Sequence, residues 1–279
     1  MGSERISDIK VMSSWMRKKA LEMAYYAGDK GAHLGAGLSS IEILACLYGG
    51  ATNLSAQYMK RENRDIFIPS KAHCVLSFYT ALAYSGFFDI EDLNQFEHNG
   101  SELPGHPIMN SNRGIEFSGG SLGMGLSQGI GMALAYKKKK YSSKVYVLLG
   151  DGECDEGSIW EGAMSAAHFK LDNLIVIIDC NKLQYDGATE DIMKLNSIRR
   201  KFEAFGFEAI EVDGHNIEDL YNAFISFQSI YNGKPKVIIA HTVKGKGVSF
   251  MENRKEWHHA FLSEENYNLA MREVEENEQ

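Results

Sequence analysis

The stretch Val145–Leu183, VYVLLGDGECDEGSIWEGAMSAAHFKLDNLIVIIDCNKL, decides the fold of this chain. It opens with the apolar run Val145–Leu149, turns at Gly150-Asp151-Gly152, passes through a helix-like segment, and closes with a second apolar run ending at Asp179-Cys180-Asn181. Near-continuous apolar runs of this length, separated by a helical segment, read as buried parallel strands joined by a crossover helix. Both strands then deliver a polar residue, Asp151 and Asn181, to the same edge of one sheet, where open α/β sheets bind ligands. A carboxylate, an amide oxygen and a backbone carbonyl are hard oxygen donors suited to Mg²⁺, which retains positions for water and substrate phosphate.

Working outward, the same alternation continues. Asp65–Ile68 is a short strand candidate, with His73 just beyond it at the start of the helical segment VLSFYTALAYSG. Glu208–Val212 and Lys236–Thr242 read as further strands, with helices near Ser197–Phe205 and from Ile217 to Tyr231. Before them, Ile6, Ile9, Met12, Trp15, Met16, Ala20, Met23 and Ala24 recur at spacings of three and four, which predicts an amphipathic helix over residues 4–27. The segment GDKGAHLGAG reads as a loop carrying His33, and residues 39–49 as a helix capped by Ser39 or Ser40. The tail from Ser263 to Gln279 reads as a polar, acidic helix that closes the chain. Together these predict an α/β fold: a doubly wound, mainly parallel sheet with helices on both faces, in one domain covering residues 1–279.

Composition narrows the function classes. Over 279 residues, 29 Lys and Arg stand against 37 Asp and Glu, a formal charge of −8, the opposite of a general nucleic-acid footprint. The basic cluster Lys137–Lys140 closes a helix-like segment, where lysines meet the negative helix end and reach into solvent. No run approaches the eighteen apolar residues of a membrane span. The four cysteines lack metal-type or CxxC spacing and read as reduced thiols of a cytoplasmic protein. Cys154, beside the Asp151 turn, has no sequence-local base and reads as a small side chain near a site. Two further loops have ligand-binding character: HNGSELPGHP, in which Gly105 and Pro107 fix His106, and the glycine-rich SGGSLGMGLSQGIGMA, which opens a helix.

The pattern GDG, 28 residues, then Asn181 resembles the thiamine-diphosphate motif. Together with GAHLGAG, the KAH of residues 71–73, LPGHP, GGSLGMGLSQGIGMA, DCNKLQYDG and the KGKGVSFMEN…WHH ending, it makes the chain similar, over nearly its whole length, to the amino-terminal, diphosphate-binding half of transketolase. The resemblance implies thiamine diphosphate held through Mg²⁺ (with Ca²⁺ or Mn²⁺ able to substitute), ligated by Asp151, Asn181 and the Leu183 carbonyl. It places Gly150 and Gly152 at the diphosphate, His73 and His258 at the diphosphate and substrate channel, and His33 and His106 on the donor ketose. Gly120 and Leu122 would lie under the cofactor rings, and Glu156 in an acidic network between two cofactor sites. Ser121 and Met124 stand where many relatives carry Pro and Gln, and His259 where relatives of the split kind carry Gly.

The implied activity is transfer of a two-carbon ketol unit from a ketose to an aldose, on sugar or sugar-phosphate substrates. Full-length transketolases continue into a pyrimidine-binding domain carrying the activating glutamate. The resemblance therefore implies a separate carboxy-terminal subunit in an α₂β₂ heterotetramer. Competing readings are a ketose-phosphate synthase subunit, the alpha subunit of a 2-oxo-acid dehydrogenase, and a non-catalytic regulatory subunit of the same fold. The four histidines favour sugar chemistry, because neutral imidazole gives or takes a proton near pH 7.

Overall fold

In the computed structural model, described over residues 2–277, five strands form one wholly parallel sheet. They are β1 (Ile66–Pro69), β2 (Val145–Gly150), β3 (Leu174–Cys180), β4 (Glu208–Asp213) and β5 (Lys236–His241), in the order β1-β2-β3-β5-β4. The α/β class expected from the alternation is the observed one.

The central strands are apolar from Val145 to Leu149 and from Leu174 to Ile178 because both faces are covered. Tyr146 and Leu148 of β2, with Ile175 and Ile177 of β3, pack into a larger core cluster. Into the same cluster are drawn α1 (Gly2–Tyr26), α2 (Leu34–Ser39), α3 (Ile41–Cys46), α4 (Val75–Tyr84) and, further along the chain, two helices spanning Ile217–Gln228 and Glu264–Glu276. The intervening residues Val145, Val147, Leu149, Leu174, Val176 and Ile178 face a second cluster under α5 (Gly125–Lys139), α6 (Gly157–His168) and a helix over Ile198–Ala204. A side-chain period of two thus splits each buried strand between two helical layers.

That alternation also places the site. Asp179 continues the Ile175, Ile177 face of β3, so a carboxylate ends an otherwise apolar row and is fully buried. Gly150 pairs with Asp179 across β2 and β3, and Asp151 N–H donates to the Asp179 carbonyl at 3.2 Å. Asp151 and Asn181 therefore leave adjacent strands within one residue of the same level.

Five local expectations are corrected. Part of the expected GDKGAHLGAG loop is helical, as α2. The expected helix over residues 39–49 is interrupted at Ser40, whose φ of −104° and ψ of 8° separate α2 from α3. Neither serine caps it: Ser39 Oγ donates to Asp179 Oδ2 at 2.6 Å and Ser40 Oγ to the Ala36 carbonyl at 3.0 Å. The hydroxyls are taken up by the site and the preceding turn. The helix expected to reach Tyr231 ends at Gln228, and the one expected to reach Gln279 runs over Glu264–Glu276; Glu278 and Gln279 lie outside the described residues. No helix among the described residues is long and apolar enough to cross a membrane.

Candidate active site

Beyond the carboxyl ends of β1, β2 and β3 lies a cavity of about 270 Å³. Its floor is lined by Lys71, Gly150, Asp151, Gly152, Glu153, Asn181, Leu183 and Lys244, and its upper wall by His33, His73, His106 and His258, with Gly120, Leu122 and Tyr185. Residues from eight separate stretches of sequence meet here, including every histidine singled out with a site role.

The floor is a dense hydrogen-bond network. Asp151 Oδ1 accepts from Gly152 N–H at 2.9 Å and Oδ2 from Lys182 N–H at 2.6 Å. Lys182 adopts a left-handed φ of 64°, which turns the chain between Asn181 and Leu183. Asn181 Oδ1 then accepts from Leu183 N–H at 3.1 Å, and the Leu183 carbonyl accepts from Lys244 Nζ at 3.3 Å. Beneath them Asp179 accepts from Lys71 Nζ, Ser39 Oγ and Thr242 Oγ1, and Lys71 Nζ also reaches the Ala36 carbonyl at 3.2 Å and Ser39 Oγ at 3.1 Å. Burial alone would raise the Asp179 carboxyl, but Lys71 and the two hydroxyls hold it below the usual carboxylate range. Asp151, by contrast, is pushed up to about 6 by burial and by the neighbouring Asp179 charge. Lys244 falls to about 8, through burial and then Lys71. Two ammonium groups and a carboxylate disfavoured by its surroundings are what a floor needs to receive a cation with a polyphosphate. Carboxylate, amide oxygen and carbonyl also fit a hard divalent ion.

Glu153 ties down the adjoining wall. It is buried and accepts from Ser70 Oγ, from Gly123 N–H at 2.8 Å and from Gly150 N–H at 3.0 Å. Ser70 Oγ in turn accepts from Gly125 N–H at 3.0 Å. The approach is so close that a Cβ at Gly125 would stand 2.7 Å from the Ser70 Cα, so only glycine lets the helix start sit on the strand end. This arrangement presents Gly120 and Leu122 to the cavity.

Behind Lys244, His215 Nε2 accepts from Val243 N–H at 2.8 Å. The proton is thereby placed on Nδ1, which donates to Glu42 Oε2 at 2.9 Å. Arg17 pairs with the other oxygen of the same buried Glu42. This strut holds the loop that carries Lys244.

The imidazoles above are packed ring against ring. His33 lies 5.5 Å from His73, 5.2 Å from His106 and 5.7 Å from His258, between centroids, and His73 stacks on His258 at 5.1 Å. Burial, followed by His259 and other neighbouring imidazoles, lowers His33 to about 3; burial and then Lys244 and Lys71 bring His258 to about 3. His73 is held well below its ordinary value by burial and Lys71, and His106 is lowered chiefly by burial. All four are neutral at pH 7. His258 Nδ1 is buried without a hydrogen-bond partner, a polar atom in the cavity wall that an anionic or hydroxylated ligand would satisfy.

Glu156 is exposed and outside the cavity lining, against Gly123 at the start of α6. Cys154 is fully buried, with its thiol held well above the ordinary range by burial and Glu153, so its environment makes it inert. Sequence reasoning passed over Lys71 as a charge, Asp179, Glu153 and Lys244. For Asp179 and Lys71 the signal was present, as single charges of opposite sign closing the apolar runs IVIID and IFIPSK; a charge in such a place needs a buried partner.

Comparison with known proteins agrees with this geometry. Residues 12–276 match the family described as transketolase, thiamine diphosphate binding domain. The chain is 43% identical over 272 residues to one of the subunits of the apulose-4-phosphate transketolase of Phocaeicola vulgatus, covering 98% of this chain and 95% of that one. It is 38% identical over 273 residues to the 6-deoxy-6-sulfo-D-fructose transketolase subunit SqwG of a Clostridium species, with 98% of each chain covered. Transketolase from Leishmania mexicana superposes with a TM-score of 0.87 at 28% identity, over 96% of this chain and 41% of that one. The chain thus spans nearly the full length of the subunit relatives and about two fifths of the long transketolase. It belongs to the transketolase family, in its thiamine-diphosphate-binding domain.

Proposed function

We propose that this chain is the amino-terminal subunit of a two-chain transketolase, forming an α₂β₂ assembly with a subunit that carries a pyrimidine-binding domain. The observation that carries the reading is the convergence of three oxygen donors, two lysines and four neutral imidazoles on one cavity. Asp151, Asn181 and the Leu183 carbonyl would ligate Mg²⁺. Lys71, Lys244, His73 and His258 would face the diphosphate, and Gly120 and Leu122 the cofactor rings. Thiamine diphosphate, when bound, supplies the carbon nucleophile and electron sink for breaking a carbon–carbon bond beside a carbonyl.

The chain's own residues do the rest. His33 and His106, neutral and adjacent, donate hydrogen bonds to the carbonyl and hydroxyl oxygens of a ketose and exchange protons with them as the bond beside the carbonyl breaks. The packed imidazoles keep the donor oriented and limit water at the reacting carbon. Activation of the cofactor falls to the partner. Of the carboxylates buried at the cavity, Asp151 is assigned to the metal and Glu153 accepts three hydrogen bonds within the wall, which leaves neither free for that task. We read residues 1–279 as one diphosphate-binding domain, with Glu156 on the surface at α6 facing the assembly.

The test is reconstitution with the partner subunit. The expected outcome is metal-dependent binding of thiamine diphosphate by calorimetry, and transfer of a two-carbon unit from a ketose to an aldose with parallel double-reciprocal lines. Intersecting lines would count against transfer in two half-reactions. Absence of metal-dependent binding with the partner present would overturn the reading altogether.

A further inference from the structure

One imidazole in this region has no assigned role. His259 lies outside the cavity lining and is exposed, yet its ring meets His33 edge to face at 4.5 Å, closer than His33 approaches His73, His106 or His258. The backbone explains the contact. Ala32 and Ala260 form an antiparallel bridge, each donating its N–H to the other's carbonyl at 3.0 Å. In an antiparallel pair, the residues one step beyond a hydrogen-bonded pair stand directly opposite, with their side chains close and on the same side. His33 and His259 occupy that position. Gly31 completes the fit: with φ of 67°, it lies where a Cβ would stand 3.1 Å from His259 Cε1 and 2.9 Å from the Ala260 carbonyl oxygen.

His259 is therefore aimed by the backbone, on the side to which His33 points, and by the same clamp. Exposure rises from the buried floor at Asp151 and Asn181, through half-buried His33, to exposed His106 in the cavity wall and exposed His259 just outside it, at the outer edge of the mouth. A short ketose held by His33 and His106 would be used up in those contacts, whereas a longer carbon chain extending outward from His33 would come next to His259, its neighbour at 4.5 Å. Neutral imidazole offers one hydrogen-bond donor and one acceptor, which matches the hydroxyl that a sugar carries on each carbon.

Resting on the ketol-transfer reading above, we propose that His259 is a specificity-determining residue: its imidazole hydrogen-bonds a hydroxyl of the sugar chain beyond the carbons held by His33 and His106. Its effect then depends on substrate length. Steady-state kinetics of the reconstituted complex decides this, comparing His259→Ala and His259→Gln with wild type on erythrulose, a four-carbon ketose, and on a six-carbon ketose. In the alanine variant, KM for the six-carbon donor should rise about fivefold, the worth of one hydrogen bond, while KM for erythrulose stays within about twofold. Glutamine, which keeps a donor and an acceptor, should recover part of the loss. Equal changes for both donors, or no change for either, would overturn the assignment while leaving the transferase reading intact. If the wild-type complex transfers a ketol unit from neither ketose, the transferase reading fails and this inference with it.

Discussion

At the floor of the cavity, side-chain and backbone hydrogen bonds fix the polar groups; at its mouth, rings hold one another by contact. Asp151 takes two backbone N–H groups, Asp179 takes an ammonium and two hydroxyls, and Glu153 takes a hydroxyl and two N–H groups. The five histidines meet at centroid distances of 4.5–5.7 Å, and one buried ring nitrogen has no partner. The floor is built to hold charge in a fixed geometry, which a metal and a diphosphate require. Four of these rings, His33, His73, His106 and His258, are held neutral, and the mouth is built to lend hydrogen bonds to whatever enters. Removing one floor group should therefore disturb a network, whereas removing one ring should shift a local equilibrium.

The largest effect is expected at the buried Lys71–Asp179 pair, whose side chains are 2% and 0% exposed. Lys71→Met leaves Asp179 as a buried charge without its cation and should lower unfolding stability by about 3–5 kcal/mol, measured by denaturant titration of the chain alone. A second substitution, Asp179→Leu, made in the Lys71→Met background, should return most of that loss. If the double variant were no more stable than the single one, the pair would not be what holds the floor.

Next comes Asp151. Its carboxyl is raised to about 6 by burial and by Asp179, so its ionised form is a strained component of the ligand-free chain. Asp151→Ala should weaken metal-dependent thiamine diphosphate binding at least about a hundredfold, or about 2.7 kcal/mol. Stability of the ligand-free protein at pH 7 should hold or rise, the usual trade at a functional site. Calorimetry and thermal unfolding read the two halves separately. Tight binding retained in the variant would displace Asp151 as a metal ligand, and a clear fall in stability would make it structural.

The same contrast governs what the sequence could reveal. Strands β2 and β3 were legible because burial on both faces makes the runs Val145–Leu149 and Leu174–Ile178 apolar, and the polar residues just beyond the strand ends, Asp151 and Asn181, marked the site. Ser39 was misread because a serine before an apolar helix has the pattern of a cap; that its hydroxyl goes to Asp179, 140 positions away, is a product of the tertiary fold. Lys71 lies two residues beyond β1 and Asp179 near the end of β3, and only the tertiary fold makes them a pair. At the mouth, His33, His73, His106 and His258 could be named from motifs. The bridge between Ala32 and Ala260 that sets His259 opposite His33 has no local signature, since two alanines in irregular segments carry no pairing signal.

The effect that is smallest per side chain sharpens the mouth. His33 and His258 are lowered to about 3 in the folded chain from an ordinary value of 6.5. A group with a depressed folded pKa contributes stability that is fully present above the unfolded value and lost as pH falls toward the folded one. Here that window runs from 6.5 down to about 3, because the unfolded chain takes up protons that the packed rings refuse. Each such ring should steepen the loss by up to about 1.4 kcal/mol per pH unit within the window. Urea unfolding of the ligand-free chain at pH 7, 6 and 5 should therefore show a steeper decline for wild type than for the double variant His33→Asn, His258→Asn. The floor carboxylates are common to both proteins and cancel in the difference. Parallel declines would mean that the rings take up protons in the folded state. The mouth would then be a charged rim, and the neutral imidazoles that distinguish it from the floor would no longer describe it.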